Sequence, residues 1–178
     1  MSHASRHGDE RAARAAIRVL TVTVSDTRTE ANDEGGALLR RLLEEAGFSL
    51  APHRITTDDP ERLRELVVEA QESDLADAVI TTGGTGIAPR DNTVEALEAL
   101  FEKRLDGFGE VFRQLSFQEI GARAVLSRAT AGIVRGRFVA ALPGSPRAVA
   151  LGVTAVLVPM LAHAVQLLRG RPAHGDSK

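Results

Sequence analysis

The sequence predicts a single α/β domain built on a mostly parallel central sheet, and three observations carry that reading. Ala78 to Thr82, AVITT, is a short, uninterrupted, β-branched run of the kind that forms a strand covered on both faces. Further strand-like runs alternate with amphipathic helix-like segments along the chain. With 178 residues, a hydrophobic fraction of 43% and 16 glycines, the chain is long enough for one such domain with a real core.

Residues 1–15 lack an apolar core, so they read as a flexible arm and not as a signal peptide. Ile17 to Val24 is the first strand, and Ser25-Asp26-Thr27-Arg28 follows at its carboxyl end, where ligands sit in open α/β sheets. Asn32, Asp33 and Glu34 then precede Leu38, Leu39, Leu42 and Leu43, with Gly47 as the stop: a helix that Asp33 can cap. Phe48 to Ile55 reads as a second strand. Asp59 before Pro60 caps a helix whose Leu63, Leu66, Val67 and Ala70 face inward, which leaves Asp58 free.

After the strand at Ala78, Asn92 and Glu95 have capping-box spacing ahead of a stripe of Val94, Leu97, Leu100 and Phe101. From Gly107 to Gly121, Phe108, Val111, Phe112, Leu115 and Ile120 recur at helical spacing, as core or as subunit contact. Ala129 to Val134 and Arg137 to Leu142 are strands around Arg135-Gly136. Ser145 and Pro146 open the last helix with free N–H groups at its start. Ala148 to Val165 carries no charge over nearly a bilayer's length, but Gly152, Thr154, Pro159 and His163 interrupt it and favour a buried core helix. Residues 170–178 read as a loose tail, leaving 16–169 as the domain.

The chemistry is concentrated in TTGGTGIAPRDNT. Beyond Thr82, Gly83, Gly84 and Gly86 can take positive φ and let ligand oxygens approach the backbone, as in an anion nest. A Walker A loop needs Gly-Lys-Ser/Thr, and no lysine is present here; a dinucleotide fingerprint would put Pro89 where close packing wants glycine. Thr85, Arg90, Asp91 and Thr93 around the nest suit a phosphate ester with Mg²⁺. A plain β–turn–α corner with Asp91 as a helix cap fits the same spacing. Pro143-Gly144-Ser145-Pro146 is a second candidate anion site.

The net charge of −2 supplies no global field for nucleic acid or anionic lipid. Six Phe without Trp or Tyr make a base-stacking platform a poor fit. The absence of cysteine excludes disulfides and thiolate metal sites and agrees with a reducing compartment. His3, His7, His53, His163 and His174 have no partner at metal-ligand spacing.

TTGGTGIAPRDNT together with SDTR, DGFGEVFRQLSFQEIG, LSRA and LPGSP resembles the MoaB/MogA family of molybdenum cofactor biosynthesis proteins, from about Ile17 to Leu168. Gly107 to Gly121 is similar to the bacterial MoaB branch. The resemblance implies a three-layer α/β/α domain in a cytoplasmic homotrimer or pair of trimers. It implies molybdopterin as substrate, ATP as co-substrate and Mg²⁺ as cofactor, with adenylylated molybdopterin and pyrophosphate as products and a molybdenum-inserting partner downstream.

By resemblance, Asp58 takes the acidic position facing the glycine loop, Asp33 lies near the pterin pocket with Gly35 in place of the usual serine, and Ser127 lines the substrate pocket. Asp58 and Asp91 are then the candidate catalytic and Mg²⁺-organising carboxylates. Ser25, Asp26, Asp33, Thr82, Gly83, Gly84, Thr85, Gly86, Arg90, Ser127, Pro143, Gly144 and Ser145 are the candidate substrate and phosphate contacts. A non-catalytic molybdopterin-binding oligomer and an ATP-consuming phosphohydrolase are the alternative readings.

Overall fold

The computed structural model describes residues 10–170; most of the expected arm and tail, 1–9 and 171–178, lies outside the described residues. Strand β1 (Arg18–Val24) is followed by α1 (Glu34–Glu45), β2 (Ser49–Leu50), β3 (Arg54–Thr56), α2 (Pro60–Glu72), β4 (Ala78–Thr82) and α3 (Thr93–Glu98). Then come β5 (Lys103–Arg104), α4 (Asp106–Ile120), β6 (Thr130–Val134) and β7 (Arg137–Leu142). The last helix, α5 (Pro146–Leu168), contains one π-helical turn at Gly152–Leu157.

The sheet runs β2-β1-β4-β7-β6-β5, with β3 also on β1. Pairings from β2 and β3 through β1 and β4 to β7 are parallel, while β6 and β5 add an antiparallel edge. Alternate residues of the central strands go to opposite faces, so both must be covered. Val19, Ile80, Phe138, Ala140 and Leu142 join α1, α4 and α5 in one core; Leu20, Val22, Val79, Val139 and Ala141 join α2 and α3 in the other. This is the expected three-layer α/β/α arrangement. Because α1 and α2 leave the sheet toward opposite faces, a crevice opens at the carboxyl ends of β1 and β4.

Several local expectations change. The single strand expected over Phe48 to Ile55 is broken into β2 and β3, with Pro52, which has no N–H to give the ladder, between them. The short edge strand β5 was not legible in the sequence. Asn92 makes no side-chain cap, and Glu95 is drawn to Arg128 instead of closing a capping box. Residues 10–15 of the expected arm are helical and tied down by Ser49 Oγ donating to the Ala15 carbonyl at 2.8 Å.

Helix α5 is long and apolar enough to cross a membrane, but Val149, Val153, Leu157, Leu161 and Val165 are buried in the domain core. Its other face, with α4, borders an apolar groove. Asp77 locks the sheet's far edge by accepting from the Arg18 amide at 2.9 Å and from Arg169 at 2.6 Å.

Two glycines of α4 should respond oppositely to alanine. At Gly107 a Cβ meets nothing within 4 Å, whereas at Gly109 it would sit 2.6 Å from the Ala129 carbonyl oxygen. In urea denaturation, Gly107→Ala should stabilise by about 0.5–1 kcal/mol through helix propensity, while Gly109→Ala should destabilise by about 1–3 kcal/mol through overpacking.

Candidate active site

The crevice at the strand ends is a cleft of ≈ 600 Å³ bounded by four segments: 23–28 after β1, 82–86 with Arg90 and Asp91 after β4, 143–146 after β7, and Leu126-Ser127. Asp33 and Asp58 complete the wall. Every candidate substrate-contact and carboxylate residue named from the sequence, Arg90 included, therefore borders one cavity; Thr93, also placed around the nest by the sequence, is instead buried and outside its lining. Pro146 of the second candidate anion turn lines the cavity too, and Thr23, Val24, Thr27, Arg28 and Leu126 do so without being among those candidates. In the sequence Thr23 looks like an ordinary strand residue, whereas Arg28 stands in the SDTR motif and could have been found there.

Backbone contacts hold these segments in register. The Gly83 amide donates to the Leu142 carbonyl at 3.0 Å, Thr82 Oγ1 to the Pro143 carbonyl at 3.1 Å, and the Ser25 amide to the Thr56 carbonyl at 2.8 Å. Gly83 adopts φ 105° and Gly84 φ 63°, and a Cβ on Gly83 would collide with the Val24 carbonyl oxygen. Glycine is thus required by both conformation and space. Among the described residues, the amides of Gly84, Thr85, Gly86 and Ile87 donate to no protein acceptor, and the first three of these residues line the cavity.

Asp91 does not cap α3. Its Oδ2 accepts from the Ala88 amide at 2.8 Å and clasps the loop on itself, leaving the carboxylate on the cleft wall. Asp59 takes the cap of α2, accepting from Glu61, and Asp58 is free to face the cleft as the sequence implied. Burial, then the neighbouring Asp26 and Asp91 carboxylates, raise Asp58 above the ordinary 3.8, against the opposing pull of Arg90. Such a cluster of negative charge is relieved by a cation. Among the described residues no group of three or more His, Cys, Asp and Glu is arranged as metal ligands, so a bound cation would draw further ligands from a substrate.

Asp33 both caps α1 and borders the cleft. Its Oδ1 accepts from the Gly36 amide at 2.9 Å, and its Oδ2 from Thr23 Oγ1 at 2.6 Å and His53 Nε2 at 3.1 Å. Burial alone would raise its pKa, but the hydrogen bonds from Thr23, Gly36 and His53 outweigh that and hold it below the ordinary range. Spacing along the chain gives His53 no role, yet its ring is part of this buried network, with Nδ1 2.8 Å from Thr21 Oγ1. No sequence spacing links residues 23, 33 and 53; only the pairing of β3 with β1 does so. Burial lowers the His53 pKa, and Arg40 adds to this, against the raising effect of Asp33. The neutral ring, with Nε2–H donating to Asp33 and Nδ1 accepting from Thr21, satisfies every contact.

Ser145 caps α5 by accepting from the Ala148 amide at 3.3 Å. The Ser127 hydroxyl is buried and has no hydrogen-bond partner among the described residues, an arrangement that suits a ligand contact.

Comparison with known proteins adds independent findings. Residues 9–163 match the family model described as "Probable molybdopterin binding domain". Molybdenum cofactor biosynthesis protein B of Bacillus subtilis (strain 168) is 46% identical over 154 residues, spanning 86% of this chain and 91% of that protein. A crystal structure of a molybdenum cofactor biosynthesis protein B superposes with TM-score 0.84 at 42% identity, covering 87% of this chain and 97% of that one. The molybdopterin biosynthesis enzyme MoaB of Thermus thermophilus does so with TM-score 0.78 at 32% identity, covering 88% of this chain and 98% of that one.

The buried network gives stability a definite pH dependence. Both Asp33 and His53 have lower pKa values folded than unfolded, so the unfolded chain binds more protons and stability falls as pH falls. The loss begins as pH drops through the ordinary histidine value of 6.5 and resumes below the ordinary aspartate value of 3.8. Asp58, being raised, works in the opposite sense just above 3.8. Thermal melts of wild type and His53→Gln between pH 8 and pH 4 isolate the histidine: the variant should lose the part of the decline that sets in below 6.5.

Proposed function

The chain belongs to the molybdopterin-binding domain family that serves molybdenum cofactor biosynthesis, and from that premise we propose that its cleft binds molybdopterin and adenylylates it with MgATP in the cytoplasm. One observation carries the reading: Gly84, Thr85 and Gly86, whose amides have no protein acceptor among the described residues, line the same cavity as Asp58 and Asp91. Donors without partners suit phosphate oxygens, and clustered carboxylates suit a cation brought with them.

In the proposed reaction an oxygen of the pterin phosphate attacks the α-phosphorus of ATP, the bond from that phosphorus to the β-bridging oxygen breaks, and pyrophosphate leaves. Gly83, Gly84, Thr85 and Gly86 cradle phosphate, while Arg90 and Arg28 offset its charge. Asp33, Ser127 and the 143–145 turn border the pterin. Mg²⁺ held by Asp58, Asp91 and substrate phosphates would neutralise charge at the reacting phosphorus. The protein's part is positioning and electrostatic stabilisation, with no side-chain nucleophile.

A homotrimer or pair of trimers is part of the same reading, as is transfer of the product to a molybdenum-inserting protein. Support for self-association comes from Val111, Phe117 and Ile120, exposed at 44%, 56% and 39% on α4, and from the ≈ 660 Å³ apolar groove between α4 and α5.

Product analysis of purified protein with molybdopterin and MgATP tests the activity, alongside Asp91→Asn. Asparagine keeps an acceptor for the Ala88 amide and removes only the charge. Wild type should form adenylylated pterin and pyrophosphate, and Asp91→Asn should do so at least ~100-fold more slowly. Pterin binding without product would leave a binding function alone, and ATP hydrolysis without pterin would identify a phosphohydrolase.

A further inference from the structure

A second cavity of ≈ 380 Å³ shares Ser127 with the cleft and has in its wall Arg128 and Glu95, which do not line the cleft. Arg128 is a hub there. Its amide donates to the Thr85 carbonyl at 3.0 Å, Nε to the Gly86 carbonyl at 2.8 Å and Nη2 to the Asp91 carbonyl at 2.7 Å, while Nη1 pairs with the Glu95 carboxylate. One residue thus grips the loop at both its start and its end.

The consequence follows from peptide geometry. No peptide bond among the described residues is cis, and in a trans unit the C=O and N–H point in opposite directions. Turning the Thr85 and Gly86 carbonyls back toward Arg128 therefore turns the Gly86 and Ile87 amides away from it, and these are two of the unpartnered donors noted above. Holding the Asp91 carbonyl likewise fixes the backbone from which the Asp91 carboxylate is presented. Only a guanidinium can make all the side-chain contacts at once, because it carries several donors in one rigid plane.

We propose that Arg128 is the positioning residue of the phosphate-binding loop: its planar fork holds the Gly86 and Asp91 carbonyls, beside the Thr85 carbonyl held by its own amide, and so fixes the orientation of the loop amides and of Asp91. This rests on the phosphate-binding reading of that cleft. Arg128 touches no substrate; Glu95 orients it. The Arg128 interaction also holds the Glu95 carboxyl below the ordinary 4.5, as expected for a lasting ion pair.

The test uses the full chain and two probes, MgATP and inorganic pyrophosphate, in calorimetric titrations with ¹⁵N spectra of the Gly86 and Ile87 amides. Arg128→Ala should weaken binding of both probes by about tenfold or more, as expected for loss of charge-assisted hydrogen bonds, and should suppress the probe-induced shift of the Ile87 amide. Arg128→Lys should recover little of this, because an ammonium cannot span both carbonyls and Glu95. Millimolar methylguanidinium should restore binding to Arg128→Ala. Glu95→Gln, which leaves both carbonyl contacts, should show a smaller loss of about two- to threefold.

Wild-type affinity in folded Arg128→Ala would overturn the proposal, as would full recovery by lysine, which would reduce the role to charge. Wild type binding neither probe would overturn the phosphate reading and this proposal with it. If Arg128→Ala fails to fold, Arg128→Lys and Glu95→Gln decide the question by the same titrations.

Discussion

The site depends on the close approach of three backbone turns at the carboxyl edge of the sheet. Gly83 lies so near the Val24 carbonyl that any side chain would collide, and a Cβ on Gly144 would be 3.3 Å from the Gly83 Cα. Gly35, at the head of α1, is similarly pressed against Gly144: its Cβ would lie 2.7 Å from that carbonyl oxygen. Main chain meets main chain without side chains between, so amides rather than flexible side chains form the floor. Such donors are already ordered before a ligand arrives, which is how a site binds phosphate without the entropic cost of organising it.

Around this rigid floor, carboxylates are kept in two different states. Asp33 is surrounded by donors and depressed; Asp58 faces other acids and is raised. The first is a fixed structural anion that ties α1 to β1 and β3. The second is a carboxylate whose charge is unfavourable until a cation comes near. Two groups of the same chemical type thus take different roles because one lies among hydroxyls and a neutral imidazole while the other lies beside Asp26 and Asp91.

Much of this was legible in the chain. AVITT announced a two-sided strand, Asp59-Pro60 announced a cap, and the glycine run announced a nest. These are local signals, written in φ preferences, side-chain periodicity and capping chemistry over a few residues. The two misreadings have different causes, one distant and one local. Asn92 and Glu95 have correct spacing for a capping box, but Arg128, 33 residues later, draws Glu95 away. Phe48 to Ile55 reads as one strand, yet Pro52 interrupts the ladder with β1.

The sequence by itself determined the class of fold, the alternation of strands and helices, the family resemblance and the set of residues that could meet a phosphate. Hydrophobic period and glycine placement act over short distances, so they can be read without coordinates. Tertiary structure alone decided that His53 belongs with Asp33 and that Arg128 holds the Thr85, Gly86 and Asp91 carbonyls. Both outcomes are competitions for hydrogen bonds between residues brought together only when the chain folds, and no spacing along the chain encodes which partner wins.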